Sequence, residues 1–293
     1  MPASPIFVSA QSVDTITTFT LPAIPRVLQT PDSRAAYLVE HYWQNVNFRD
    51  TNYVHHPEIV EQAAVNYIDI LTLVPSELAE ASLTALIRRT EAARACFDYI
   101  TRLMELYLYE ADSPMKNEEF YIPVLRAMIS SSLLTDAEKI RPRERLRLVL
   151  RNRVGTPAQD FVYTLPDGTR GRLHQVSAPF LILYIHNPGC HTCSETTAAL
   201  RTLPTVNRLL TQGRLKVLSI YPDEEVDEWR RSLYRLPTRW INAYDADQTI
   251  TKKNLYDLKA IPTLYLLDSE KRVVLKDVTP QHIEEFLSNQ NRK

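Results

Sequence analysis

Ala178-Pro-Phe-Leu-Ile-Leu-Tyr-Ile-His-Asn-Pro-Gly-Cys-His-Thr-Cys193 is the stretch that decides how this chain folds. Ala178 to Ile185 is an apolar run with the length of a buried strand, and a residue order that favours helix follows the cysteines. Two thiols three residues apart, at the N-terminus of a helix that leaves a buried strand, form a redox site. The helix terminus carries partial positive charge that stabilises a thiolate, and the spacing lets the second sulfur close back on the first. A zinc site would need a second ligand pair. The remaining cysteine, Cys96, has no Cys or His at ligand spacing, so no metal is expected.

The whole chain bounds the possibilities. Its 293 residues, 44% of them hydrophobic, can bury one large core or two ordinary ones. Lys and Arg number 34 against 35 Asp and Glu, a balance that points to neither nucleic acid nor an anionic membrane surface. No run is long enough for a membrane span. Residues 1–30 contain Pro2, Pro5, Pro22 and Pro25 without a continuous apolar core, so they read as an extended segment and not as a signal peptide. Three cysteines do not describe a disulfide-stapled secreted fold.

From 31 to 150 the periodicity is helical and strand-like alternation is almost absent. Ala64, Tyr67, Ile68 and Leu71 mark one face of a helix that Pro57 can start. Cys96, Ile100, Leu103 and Tyr107 mark a face of a long helical segment over about 76–109, broken by Asp112-Ser-Pro114. A third helix is expected from Asn117 through Ile129, and a fourth from the capping box Thr135-Asp-Ala-Glu138.

After Arg153-Val-Gly155 the texture changes. Phe161–Leu165 and Arg170–Val176 flank an Asp167-Gly168 turn and predict a hairpin. The strand over 178–185 leads into the CxxC helix, which Pro204 is expected to kink. Leu215–Tyr221 reads as another buried strand, Asp223–Leu236 as an amphipathic helix, and 248–258 as a short helix. Pro262–Asp268 and Val273–Asp277 are strands, and Thr279–Asn289 is a last helix. The predicted fold class is α+β with two domains: an all-α helical domain over 31–150, then a thioredoxin-like α/β domain over 151–293.

Residues 155–293 resemble the TlpA/ResA-like branch of thioredoxin-fold thiol–disulfide oxidoreductases. The likeness rests on Gly155-Thr-Pro-Ala-Gln-Asp-Phe161, Asp167-Gly168, Cys190-His-Thr-Cys193 and Ile261-Pro262-Thr263. It implies that Cys190 is the nucleophile and Cys193 the resolving thiol. It also implies that Pro262 follows a cis peptide bond and blocks metal capture, and that Ile261 and Thr263 meet the substrate chain. The first half resembles a helical domain of unknown function found ahead of thioredoxin-like modules in envelope proteins of Gram-negative anaerobes. That likeness is carried by Glu40-His-Tyr-Trp-Gln-Asn45 and by Ser113-Pro-Met-Lys-Asn-Glu-Glu-Phe-Tyr-Ile-Pro-Val-Leu125. It implies a periplasmic or cell-envelope location.

Some positions depart from the resembled family. Tyr184 stands where many thioredoxins bury an Asp, Thr196 where some TlpA/ResA relatives place a Glu, and Gly189 where a Trp commonly precedes the first cysteine. The carboxylate that helps deprotonate the resolving thiol is therefore not identified. The peroxiredoxin motif is absent, since Glu195 occupies the place of its cysteine.

His191, beside Cys190, is a candidate for tuning the pair if its imidazole is cationic, and a surface side chain otherwise. His186 and His55-His56 read as ordinary polar residues, Cys96 as a buried unreactive thiol, and Trp43 as a packing anchor. The expected function is a thiol–disulfide oxidoreductase, most simply a reductase, with no organic cofactor. Its partners would be a protein disulfide or dithiol substrate and an electron-donor protein. The rival expectation is a helical binding or scaffolding protein whose redox activity is incidental.

Overall fold

The computed structural model describes residues 18–290, so residues 1–17 of the expected extended segment lie outside it. Residues 18–30 form no helix or strand. The chain divides into two compact units, with the boundary between Arg143 and Glu144.

The first unit is helical. Helix α1 (Pro31–His41) is capped by Thr30, whose hydroxyl accepts from the Ser33 amide. Helix α2 (Pro57–Leu71) starts at Pro57, whose missing N–H is no loss at a first helical position. The long segment expected over 76–109 is two helices, α3 (Ser76–Thr90) and α4 (Arg94–Leu108). Ala93 between them is extended at φ −147°, ψ 130°. Neither Gly nor Pro marks the break. Tertiary packing overrides the local propensity of Glu91-Ala-Ala93, because α3 and α4 turn back on one another and both pack on α5.

Helix α5 (Glu118–Ser130) is capped by Asn117, whose side chain accepts from the Phe120 amide. The Thr135/Glu138 capping box forms: the Thr135 amide donates to Glu138 Oε2 at 2.8 Å and the Glu138 amide to Thr135 Oγ1 at 3.3 Å. Regular helix begins later, in α6 (Ile140–Val149). Trp43 is buried among Phe19, Tyr42, Phe48 and Tyr67 as a packing residue.

The boundary between units falls inside α6, earlier than the change of sequence texture after Arg153. The reason is local. Val149 is buried, and Lys276 Nζ donates to the carbonyls of Val149 and Arg151. Asn152 Nδ2 donates to Leu255 O, and Gly155 and Thr156 exchange backbone bonds with Val273. Residues 149–158 are thus tied to the second unit.

That unit is a seven-stranded mixed sheet. Its strands in chain order are β1 (Val162–Thr164), β2 (Arg170–Arg172), β3 (Phe180–Ile185), β4 (Leu215–Tyr221), β5 (Ile241–Tyr244), β6 (Thr263–Asp268) and β7 (Val273–Lys276). In space they run β2-β1-β5-β4-β3-β6-β7. The β1–β2 hairpin turns at Asp167-Gly168, where Gly168 has φ +88° and so takes a conformation that side chains resist. Strand β5 has no clear signal in the sequence. It is short and exposes part of each of Ile241, Asn242 and Tyr244, and its order comes from pairing with β4 and β1.

Helix α7 (His191–Thr202) leaves β3, and Pro204 ends it rather than kinking it: Pro204 is the first residue of α8 (Pro204–Thr211). The helix expected over 223–236 contracts to α9 (Val226–Ser232) and a 3-10 turn over Leu233–Arg235. That expected near 248–258 contracts to α10 (Thr249–Lys252), and α11 (Pro280–Gln290) closes the chain.

Strand alternation sorts the side chains of β3. Leu181, Leu183 and Ile185 enter a core with Phe161, Tyr256 and Tyr265. Ile182 and Tyr184 enter the opposite core with Leu200, Val206, Ile283 and Leu287. Tyr184 therefore faces the layer that contains the CxxC helix.

Candidate active site

Two registers assemble the site. Ile185 at the end of β3 lies beside Ile220 of β4 on one side and Thr263 of β6 on the other. The loop His186–Gly189 and the residues just before β6 consequently emerge at the same end of the central strands. Asn187 shapes that loop: its carbonyl accepts from the Cys190 amide, its Oδ1 from the Gly189 amide, and its Nδ2 donates to Asp223.

Cys190 is the N-cap of α7 and is joined to Cys193 as a disulfide, with Cα atoms 5.2 Å apart. The Cys193 amide donates to Cys190 Sγ at 3.1 Å, so the unsatisfied end of the helix is aimed at the first sulfur. Cys190 is partly exposed and Cys193 is buried. The Ile261–Pro262 peptide is cis, and Cys190 Sγ lies 3.5 Å from the Ile261 carbonyl oxygen. Thr263 is buried and its hydroxyl donates back to Ala260 O, so its side chain supports the loop from inside.

The first half of the chain, residues 4–152, matches the family described as a domain of unknown function (DUF5106). A solved structure of a thioredoxin-like protein from Bacteroides caccae is 55% identical, with 94% of this chain and 99% of that one covered at a TM-score of 0.91. The chain belongs to this family of thioredoxin-like proteins. The C-terminal domain of an uncharacterized protein from Bacteroides fragilis is 50% identical over 47% of this chain and 98% of its own, at a TM-score of 0.46. No curated protein matches.

In this thioredoxin-like protein the surroundings of the two cysteines differ sharply. On the outer side, His191 is 89% exposed and its Nε2 lies 3.2 Å from Glu195 Oε1. Water and an opposing carboxylate both reduce what that imidazole can do to Cys190. On the inner side, the Tyr184 hydroxyl donates to the Cys193 carbonyl at 2.7 Å and lies 3.0 Å from Thr197 Oγ1. Burial raises the Tyr184 phenol to about 12, so it stays protonated.

The His186 ring stacks on Tyr184 at 4.6 Å, and its Nε2 lies 2.7 Å from Ser219 Oγ. Burial lowers its pKa to about 4. A cavity of about 170 Å³ opens beneath α7, lined in part by His186, Cys193, Thr197, Arg201, Arg235 and Leu236.

Reading the sequence alone does not bring Tyr184, His186, Asn187 and Ser219 together around the cysteine pair, as the structure does. The Asn187-Pro188 pair is a turn signal that points to the loop. Nothing local announces the other three. Cys96 lies apart in the helical unit, its Sγ 3.6 Å from Asp50 O and its pKa pushed up by burial. His56 pairs with Glu58, and among the described residues no group of three or more His, Cys, Asp or Glu is placed to hold a metal.

Proposed function

We propose that this protein is a thiol–disulfide oxidoreductase that reduces disulfides in other proteins. The observation that carries the reading is the Cys190–Cys193 disulfide at a helix N-terminus, set against the carbonyl of Ile261. In the reduced form, the Cys190 thiolate attacks one sulfur of a substrate disulfide and the other substrate sulfur leaves as a thiolate. Cys193 then displaces the remaining substrate sulfur from Cys190. The substrate leaves with two thiols, and the protein is left with the Cys190–Cys193 disulfide. Two electrons have passed to the substrate, and a second dithiol protein must restore them.

Ile261 presents its backbone beside Cys190, which suits an extended substrate chain, while Pro262 and Thr263 hold that loop. His191 is assigned a small tuning role. The resemblance of the helical half to domains of envelope proteins supports a periplasmic or cell-envelope location. Among the described residues no helix is long and apolar enough to cross a membrane. We assign 31–150 to the helical domain and 151–293 to the thioredoxin-like domain, with α6 spanning the change, since the compact units divide within it between Arg143 and Glu144.

The test is a Cys193→Ser variant, in which the second step cannot occur. It should accumulate protein partners bound through Cys190 that a reductant releases. If Cys190 carries no mixed disulfide in cells or with a disulfide-containing protein, the reading fails.

A further inference from the structure

The second chemical step makes a demand that the disulfide alone does not meet. Cys193 is 3% exposed, and it must lose a proton before it can displace a substrate from Cys190. The residues lining the cavity beside Cys193 include no carboxylate. Their ionisable members are His186, Arg201, Arg235 and Cys193 itself, and a guanidinium does not accept a proton. The structure assigns to His186 the role of proton acceptor for Cys193, through the cavity that the two residues share. This assignment rests on the proposed oxidoreductase activity.

The imidazole is fixed in place. Tyr184 stacks on one face with an interplanar angle of 10°, and Ser219 holds Nε2. The role requires the tautomer in which Nε2–H donates to Ser219 Oγ, leaving the Nδ1 lone pair to receive a proton. The cavity, at about 170 Å³, is well above the roughly 15 Å³ that one water needs, so the proton can travel through water.

The same Tyr184 that orients the imidazole also anchors the Cys193 carbonyl, which sets the acceptor and the donor in register. Burial leaves the imidazole without a proton at neutral pH while the pair is oxidised. A thiolate forming across the cavity favours the imidazolium, while Arg201 and Arg235 at the cavity rim are exposed and the Arg235 guanidinium is turned to Tyr234. Asp223 accepts from Asn187 Nδ2 and is not among the residues lining the cavity.

In the reducing direction the Cys193 thiol gives its proton to His186, and the resulting thiolate attacks Cys190 Sγ in the mixed disulfide. The Cys190–substrate S–S bond breaks as the Cys190–Cys193 bond forms. The departing substrate thiolate takes up the proton that His186 then releases. In the opposite direction Cys193 leaves as a thiolate and His186 returns the proton.

An aromatic disulfide with a coloured thiolate separates the two steps in the reduced full-length chain. Cys190 releases a first equivalent of colour, and Cys193 releases a second by displacing the bound aryl thiolate. A Cys193→Ser variant identifies the first phase. With His186→Phe, which keeps a ring against Tyr184, the second phase should slow about 100-fold or more at pH 7 while the first proceeds at the wild-type rate. The deficit should shrink as pH rises and hydroxide takes over as base. Ser219→Ala, which keeps the imidazole but releases Nε2, should slow the same phase by a smaller factor and decides the matter if His186→Phe does not fold. A second phase unchanged in the folded variants overturns the assignment. A wild-type protein that releases no colour at all overturns the oxidoreductase reading instead.

Discussion

The Tyr184 hydroxyl donates a 2.7 Å hydrogen bond to the carbonyl of Cys193, so a side chain in the middle of the sheet holds the second cysteine of the CxxC turn. The bond exists because alternation along β3 points Tyr184 at the layer containing α7. Its loss leaves a buried Thr197 hydroxyl and a Cys193 carbonyl with one partner fewer. Tyr184→Phe should therefore lower stability by about 1–2 kcal/mol in urea unfolding of the oxidised protein. An unchanged midpoint and slope would show that the hydroxyl contributes nothing net.

His186 gives stability a dependence on pH. Its folded pKa, about 4, lies below the ordinary value of 6.5, so the unfolded chain binds the proton more readily. Stability from this group is complete above pH 6.5 and is lost as pH falls toward 4. The full shift corresponds to roughly 3 kcal/mol. Unfolding curves at pH 7.5 and 4.5 should show most of that loss in wild type and little of it in His186→Phe. Equal slopes in the two proteins would place the effect elsewhere. Glu138, held down to about 2 by Arg94, contributes at lower pH still.

Cys190 should be the thiol that reacts first. Alkylation of the reduced protein at mildly acid pH, followed by peptide mass spectrometry, should label Cys190 well before Cys96, which is buried and has its pKa raised. His191→Ala should move the Cys190 pH–rate profile by less than about one unit, since the imidazole is exposed and faces Glu195. Prior labelling of Cys96, or a larger shift, would contradict this account of the two environments.

The connection after α6 should resist proteolysis. Residues 149–158 are bonded to Leu255, Lys271, Val273 and Lys276. Arg151 also donates to the carbonyls of Lys253 and Asn254. Limited proteolysis of the full chain should make its first cuts outside 150–158. A first cut inside that stretch would mean these bonds open readily.

Much of this architecture was legible in the sequence, for reasons tied to particular residues. The apolar run before Cys190 has the length of a buried strand, Asp167-Gly168 between two strand-like runs signals a hairpin turn, and Asn117 and Pro57 announce helix starts. The features that escaped depend on contacts distant in sequence. Ile241–Tyr244 becomes a strand because β4 and β1 flank it, and α3 separates from α4 because both must pack on α5. The inner side of the site escaped for the same reason. Tyr184 and His186 acquire their roles from α7 and Ser219, and no spacing within Tyr184-Ile-His186 reveals those neighbours.

The most direct test of the central claim is the reduction potential of the Cys190–Cys193 pair, measured by equilibration with glutathione buffers. An exchange-active pair should titrate between about −270 and −120 mV, the range spanned by thioredoxin and strongly oxidising relatives. A value below about −300 mV, or a pair that does not equilibrate in the folded protein, would mark a structural disulfide and contradict the assignment.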